Sequence, residues 1–412
     1  MKQLKLPVLG IILIAVILTS GCIVNPAPVL NTTGSTTGGV LNVTDANNQF
    51  AFELYSKLKE SEDGNIFFSP YSISTCLAMV YEGARGQTAE EIQGVFHFPI
   101  NDSERRPNFA SIYNTLNKAG KPYQLSTANA LWAQQDYIFL DEYFQTVEEY
   151  YGGKVANMDF VTQTEQSRQT INTWVEEQTN NRIKDLLPEG SITAITRLVL
   201  TNAIYFKGDW IYQFDRQSTR ESDFKITPDN VVRVPMMYLE NDDARFNYTE
   251  TDDLQVLELP YKGDDLSMLI LLPKKNLESI GPLTAEKLTE YREMLSEEEV
   301  TIYLPKFEFN TKYSLSHTLK QMGMPTAFSE AADFSGMTGQ RDLFIGFVIH
   351  QAFVKVDEEG TEAAAATGAG MIMSLPPQPK IFRADHPFIF LIQEKTTGNI
   401  LFFGRVVDPS AE

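Results

Sequence analysis

An α+β chain folded as a single domain is predicted by three observations. Apolar residues recur at helical spacing in the first part of the sequence, and strand-type alternation with solid apolar runs takes over later. Beyond residue 45 no linker, internal repeat or low-complexity block interrupts the chain. With 412 residues, 43% apolar and 21% charged, the protein can bury a substantial core.

Phe50, Leu54 and Leu58 share one face of a first helix. A second begins after Pro70 and carries Ile73, Leu77, Val80 and Tyr81. Thr88 with Glu91 has the spacing of a capping box and predicts the start of a third. Residues 163–178, with Ile171, Trp174 and Val175, form a further amphipathic candidate. Val300, Ile302 and Leu304 then alternate with polar neighbours. Phe307 and Phe309 resume out of phase after Pro305, as a bulge or a bend between two strands requires. Met268–Leu272 and Phe388–Ile392 are unbroken apolar runs of strand length, expected where both faces are covered. A polar turn at residues 396–399 leads into Leu401-Phe402-Phe403 and completes a hairpin.

Residues 1–22 have the form of a targeting segment: Lys2 and Lys5, an apolar run from Leu6 to Leu18, then Thr19-Ser20-Gly21-Cys22. The apolar run is short for a bilayer span. Small residues before a cysteine resemble a prokaryotic lipoprotein signal, with Cys22 as the lipid attachment residue and Thr19 as a departure from the pattern. A plain secretory signal is the alternative. Residues 23–44, rich in Asn, Thr, Gly, Ser and Pro, are expected to be a flexible tether leading to a domain at 45–409. The expected location is extracytoplasmic, either membrane-anchored or secreted.

The formal charge of −20 argues against nucleic-acid binding, and no basic cluster marks a heparin-like site. Two cysteines, Cys22 and Cys76, cannot supply a disulfide framework, and Cys76 is expected as a buried reduced thiol. His97, His317, His350 and His386 form no HExxH pair, and neither a GxSxG elbow nor a Walker loop is present. No metal cluster stands out. An enzyme is therefore not expected, and no cofactor.

Residues 351–375, QAFVKVDEEGTEAAAATGAGMIMSL, join a β-like stretch to an acidic turn, a run of tiny residues and an apolar tetrad. A flexible linker would hold more Gly and Ser. An alanine helix would not be cut by Gly368 and Gly370. The run looks built to enter a narrow slot.

Several motifs then carry a resemblance. NIFFSPYSIS at Asn65 to Ser74, TNAIYFKGDW at Thr201 to Trp210, LPKF at Leu304 to Phe307, VDEEGTEAA at Val356 to Ala364, and DHPF with GRV at Asp385 to Val406 resemble serpin motifs in serpin order. The resemblance covers about 45–409. It implies helices packed on three β-sheets, with an exposed reactive-centre loop at about 358–378. It further implies a suicide-substrate inhibitor of serine proteases: the protease acylates on the loop, and the cut loop enters the central sheet and drags the enzyme with it. Insertion satisfies a strand's worth of backbone groups, so the native state would be metastable and protected by a barrier.

The resemblance assigns the hinge to Glu358, Gly360, Thr361, Ala363, Ala364, Ala365 and Ala366. Thr361, Ala363 and Ala365 share the face that must enter packed interior, where overpacking costs about 1–3 kcal/mol; Glu362 lies on the other face. Ser69, Ser72, Asn202 and His350 match a polar cluster that controls sheet opening. Trp210 and Lys306 match the top of the sheet, with Lys306 and Glu358 as an exposed latch contributing about 0–1 kcal/mol.

Two alignments compete for the reactive bond. Matching the Ser374-Leu375-Pro376-Pro377 stretch places the cut at Met373-Ser374, the preferred assignment, whereas counting from Glu358 places it at Ser374-Leu375. Met371, Ile372 and Met373 suit chymotrypsin-, elastase- or subtilisin-like proteases, because no Arg or Lys offers a trypsin-like enzyme its cation. The expected partners are thus a covalently trapped serine protease and, through the lipid, a membrane; the chain is expected to be monomeric. A non-inhibitory serpin-fold surface binding protein is the alternative.

Overall fold

The computed structural model describes residues 28–241, 243–361 and 379–411. Three sheets and a set of helices account for them, in agreement with the α+β expectation. The central sheet is six-stranded. Its path runs Phe307–Ser314, Phe347–Val356, Leu198–Asp209, Tyr123–Gln134, Lys154–Met158, and the two-residue strand Gly360–Thr361 pairs with Leu198–Asp209. A seven-stranded sheet contains Leu266–Pro273, Phe388–Glu394 and Ile400–Val406 as neighbours, every residue of the three buried. A four-stranded sheet holds Val300–Pro305 between Asn230–Leu239 and Lys380–Arg383.

Alternation along the strands builds two cores on opposite faces of the central sheet. Leu198, Leu200, Ile204 and Phe206 point into the main core with Val348, Ala352 and Val354. Val199, Ala203 and Tyr205 point the other way with Ile349 and Phe353. There they meet Ile171 and Val175 of the helix Thr164–Gln178.

The helix Pro70–Gly83 is enclosed in the main core. Pro70 occupies its first turn, where no N–H partner is needed, and the Ser69 hydroxyl caps it by accepting from Ser72 N–H (3.1 Å). Beyond Pro305 the chain does bend between two strands. Val300–Pro305 lies in the four-stranded sheet and Phe307–Ser314 in the central one, so Lys306 is the crossing residue.

Two expectations are corrected. Residues 23–44 are not a free tether where they are described. Leu30 is buried against Ala110 and Tyr113, and a helix starts at Thr37 and runs to Leu58, with the Thr36 hydroxyl accepting from Gly39 N–H (3.0 Å). Tertiary contact overrides the weak helix propensity here. Gly39 lies against Asn108 so closely that an added Cβ would sit 2.1 Å from its amide nitrogen, and Val43 and Thr44 are buried.

Thr88 and Glu91 form no capping box. Their helix, Gly86–Phe96, begins earlier, and its N-cap residue Arg85 makes no side-chain capping bond. Thr88 instead accepts from Asp333 N–H (2.9 Å), and Glu91 accepts from the N–H and hydroxyl of Thr326 (2.8 and 2.6 Å). Both side chains serve to hold a distant loop.

The strands Tyr123–Gln134 and Lys154–Met158, interleaved with early helices, were not expected. The signal segment and Cys22 lie outside the described residues.

Candidate functional site

Leu198–Asp209 and Phe347–Val356 lie side by side in parallel, in register from Val199 opposite Phe347 to Tyr205 opposite Phe353. Above Phe353 the chain continues to Val356, turns through residues 357–360 and comes back. Asp357 N–H donates to Gly360 O (2.9 Å) and Gly360 N–H returns the bond (3.3 Å). Gly360 and Thr361 then run antiparallel to Leu198–Asp209, opposite Asp209 and Gly208. Gly360 adopts φ +144°, and a Cβ there would sit 2.3 Å from Gly208 O, so no other residue fits the turn as it stands. Gly360 and Thr361 are thus already seated as strand residues at the top of the parallel pair. Ala363, Ala364, Ala365 and Ala366 lie outside the described residues, as do Met373, Ser374 and Leu375.

Around this turn the structure gathers Glu358, Lys306 and Trp210. Lys306 Nζ is 2.8 Å from Glu358 Oε2, and the Thr219 hydroxyl donates to Glu358 Oε1 (2.8 Å). The expected exposed latch is corrected in one respect: the Glu358 side chain is only 5% exposed, against 35% for Lys306. Burial opposes its charge. The Lys306 ammonium and Thr219 hydroxyl outweigh burial and hold the carboxyl below its ordinary value. Trp210 stacks on Tyr261 (centroids 4.5 Å apart) and donates its indole N–H to Asp357 O (3.1 Å). Backbone bonds from Trp210 N–H to Glu359 O (2.9 Å) and from Phe214 N–H to Glu358 O (2.8 Å) fasten the turn. Arg216 pairs with the buried Glu359 carboxylate. Thr219 and Arg216 were not found from the sequence, because their meeting with Glu358 and Glu359 depends on a long-range crossing of chain.

Lower in the sheet, Ser69, Ser72, Asn202 and His350 come together, each with no exposed surface. His350 and Asn202 are directly opposite across the parallel pair. Ser69 N–H donates to His350 Nε2 (3.0 Å), which leaves the ring proton on Nδ1 to donate to Asn202 Oδ1. The Asn202 amide nitrogen donates to Ser72 Oγ (2.7 Å) and to Asn129 Oδ1 (2.6 Å). Ser72 Oγ reaches the same Asn129 oxygen (2.9 Å), and Ser69 Oγ donates to Leu401 O (2.6 Å). Burial pushes the His350 pKa down to about 3, so the ring is neutral at ordinary pH.

Asn129 completes this belt, since it lies opposite Asn202 on the next strand. A lone amide between Ala128 and Ala130 in an apolar strand was the signal that could have found it. The cluster bridges the two parallel strands. Cys76 is a buried free thiol nearby, 4.0 Å from Thr201 O and pushed up to about 12 by burial.

Comparison with known proteins agrees with this architecture. The family model described as Serpin (serine protease inhibitor) matches residues 45–409. A serpin-like protein of Methanosarcina acetivorans is 43% identical over 428 residues, covering 99% of both chains. The leukocyte elastase inhibitor of Bos taurus is 43% identical over 376 residues, covering 88% of this chain and 98% of its own. The crystal structure of Serpin48 from the insect Tenebrio molitor superposes with a TM-score of 0.78 at 35% identity, covering 89% of this chain and 98% of its own. The protein is a member of the serpin family.

Proposed function

We propose that this serpin inhibits serine proteases as a suicide substrate: cleavage in the segment after Thr361 frees a strand that inserts between Leu198–Asp209 and Phe347–Val356. One observation carries the proposal. Gly360 pairs antiparallel with Asp209 on one side and bridges Asp357 on the other, and carrying both pairings forward would set one register for an inserted strand.

In that register an inserted Glu362 lies level with Lys207 and Lys355, Ala363 with Phe206 and Val354, and Ala365 with Ile204 and Ala352. Thr361, Ala363 and Ala365 then face the main core, where the residues alongside are already buried. Small side chains suit that face, because each overpacked side chain would add about 1–3 kcal/mol. Glu362 faces the other way, between two cations, where opposite charges on neighbouring strands attract. The parallel contact of two strands is replaced by two antiparallel ladders, which supplies the driving force.

Lys306 with Glu358, and His350 with Asn202, act in this scheme as restraints on premature opening, one at the top of the sheet and one lower down. Cleavage at Met373-Ser374, with Ser374-Leu375 as the alternative, suits chymotrypsin-, elastase- or subtilisin-like enzymes, since no Arg or Lys lies near the bond. The signal-like start and Cys22 support attachment of the inhibitor to the outer face of a membrane by a lipid.

Incubation with a chymotrypsin-type and a subtilisin-type protease, followed by a denaturing gel and the mass of the released C-terminal peptide, tests class and bond together. A denaturant-resistant complex is expected. Simple cleavage without a complex would show a non-inhibitory protein.

A further inference from the structure

We propose that residues 28–36 form a brace that resists opening of the central sheet, with Leu30, Asn31 and Asn114 as its positioning residues; this rests on the insertion mechanism proposed above.

The brace joins three helices. Leu30 N–H donates to Asn114 Oδ1 and Asn114 Nδ2 donates to Leu30 O, both at 2.9 Å, so one side chain pairs with the backbone as a strand would. The Leu30 side chain is buried against Ala110 and Tyr113. Asn31 N–H donates to Glu149 O (2.9 Å) in the next helix, and the Asn31 amide reaches the Glu149 carboxylate. Ser35 Oγ and Thr36 N–H both reach Asn108 Oδ1 (2.7 and 3.1 Å), and from Thr37 the chain is the first helix.

Those helices belong to parts that must move relative to one another. Insertion requires Leu198–Asp209, together with Tyr123–Gln134 and Lys154–Met158, to separate from Phe347–Val356. The helix Asp141–Tyr151, which carries Glu149, runs through Gly152 and Gly153 into Lys154–Met158, and the helix Asp102–Leu116, which carries Asn108 and Asn114, precedes Tyr123–Gln134. Both helices therefore feed the departing half. The first helix is fixed elsewhere: Asn47 donates to Asn399 Oδ1 (2.8 Å) and Ile400 O (2.9 Å), and Asn48 accepts from Ile400 N–H (2.9 Å) at the hairpin of the seven-stranded sheet. The brace ties the moving half to the stationary one. Its bonds are present in the closed sheet and must be lost or rearranged as it opens.

The test compares the full chain with Asn114→Ala and Leu30→Ser, in the intact state and after cleavage of the reactive loop. The first readout is the rate at which intact protein, held at raised temperature, turns into a soluble, denaturant-resistant form that no longer traps protease. The second is the melting temperature of each state. Both variants are expected to convert about ten-fold faster or more and to melt earlier when intact. Their cleaved forms should melt with the cleaved parent, since the brace is already released there. Unchanged conversion rates, or an equal loss of melting temperature in intact and cleaved protein, would overturn the brace. A cleaved parent with no gain in stability over the intact parent would instead overturn insertion itself, and the brace with it. If Leu30→Ser does not fold, Asn114→Ala, which keeps the apolar contact, decides the matter.

Discussion

His350 and Asn202 face each other directly across two parallel strands and share a buried hydrogen bond from Nδ1–H to Oδ1. This bond joins the two strands between which the proposed insertion would take place. His350→Ala and Asn202→Ala each leave buried partners unsatisfied, which typically destabilises by about 1–3 kcal/mol. Intact protein carrying either change is expected to melt earlier and to lose inhibitory activity faster on storage, as followed by calorimetry and residual protease trapping.

The same ring makes stability depend on pH. His350 is held neutral in the folded protein, with a pKa lowered to about 3 by burial, while an unfolded histidine titrates near its ordinary value of 6.5. Between these values the unfolded chain binds the extra proton. The contribution of His350 is therefore fully present above about pH 6.5 and is lost as pH falls toward about 3, at up to about 1.4 kcal/mol per pH unit. Melting curves of the intact protein from pH 7 to 4 should fall more steeply than those of His350→Gln, which has no proton to gain.

Glu358 is the more buried partner of its pair with Lys306, and the two ends of the pair are not equivalent. Lys306→Ala leaves a buried carboxylate without its counter-ion, held by the Thr219 hydroxyl and a backbone N–H, whereas Glu358→Gln removes the charge that needs a partner. Lys306→Ala is expected to be the more damaging, by about 1–3 kcal/mol after allowance for the partial exposure of the lysine. Denaturant unfolding of the two variants measures the order directly.

Hinge substitutions separate cleavage from trapping. Thr361→Arg puts a long cation on the face that enters the core, so the loop should still be cut but insert too slowly to hold the enzyme. The stoichiometry of inhibition would rise steeply, with cleaved inhibitor replacing complex on a denaturing gel. Glu362→Lys should act in the same direction and more weakly, because it would set a third cation beside the half-buried Lys207 and Lys355. Trapping by Thr361→Arg equal to that of the parent would remove the basis for the register.

The parts of the fold written in local pattern were readable from the sequence. Pro70 announced a helix start, the apolar runs at 268–272 and 388–392 announced covered strands, and the phase change at Pro305 announced a bulge or a bend. Other parts depended on partners far along the chain. Residues 37–44 have the composition of a linker and become helix because Asn108 and the main core receive Gly39, Val43 and Thr44. Asp357-Glu358-Glu359 resembles a solvated acidic turn, yet all three residues are buried because Trp210, Phe214 and Lys306 close around them. Thr88 and Glu91 had the right spacing for a cap and were drawn to a distant loop instead. In each case the short-range rule was outweighed by a contact that only the assembled fold creates.

Thermal melting before and after a single cut in the segment between Thr361 and Lys380 tests the insertion mechanism most directly. If the freed strand enters the sheet, cut protein melts well above intact protein even though its chain is broken. Cut protein that melts at or below the intact temperature would contradict a metastable native state.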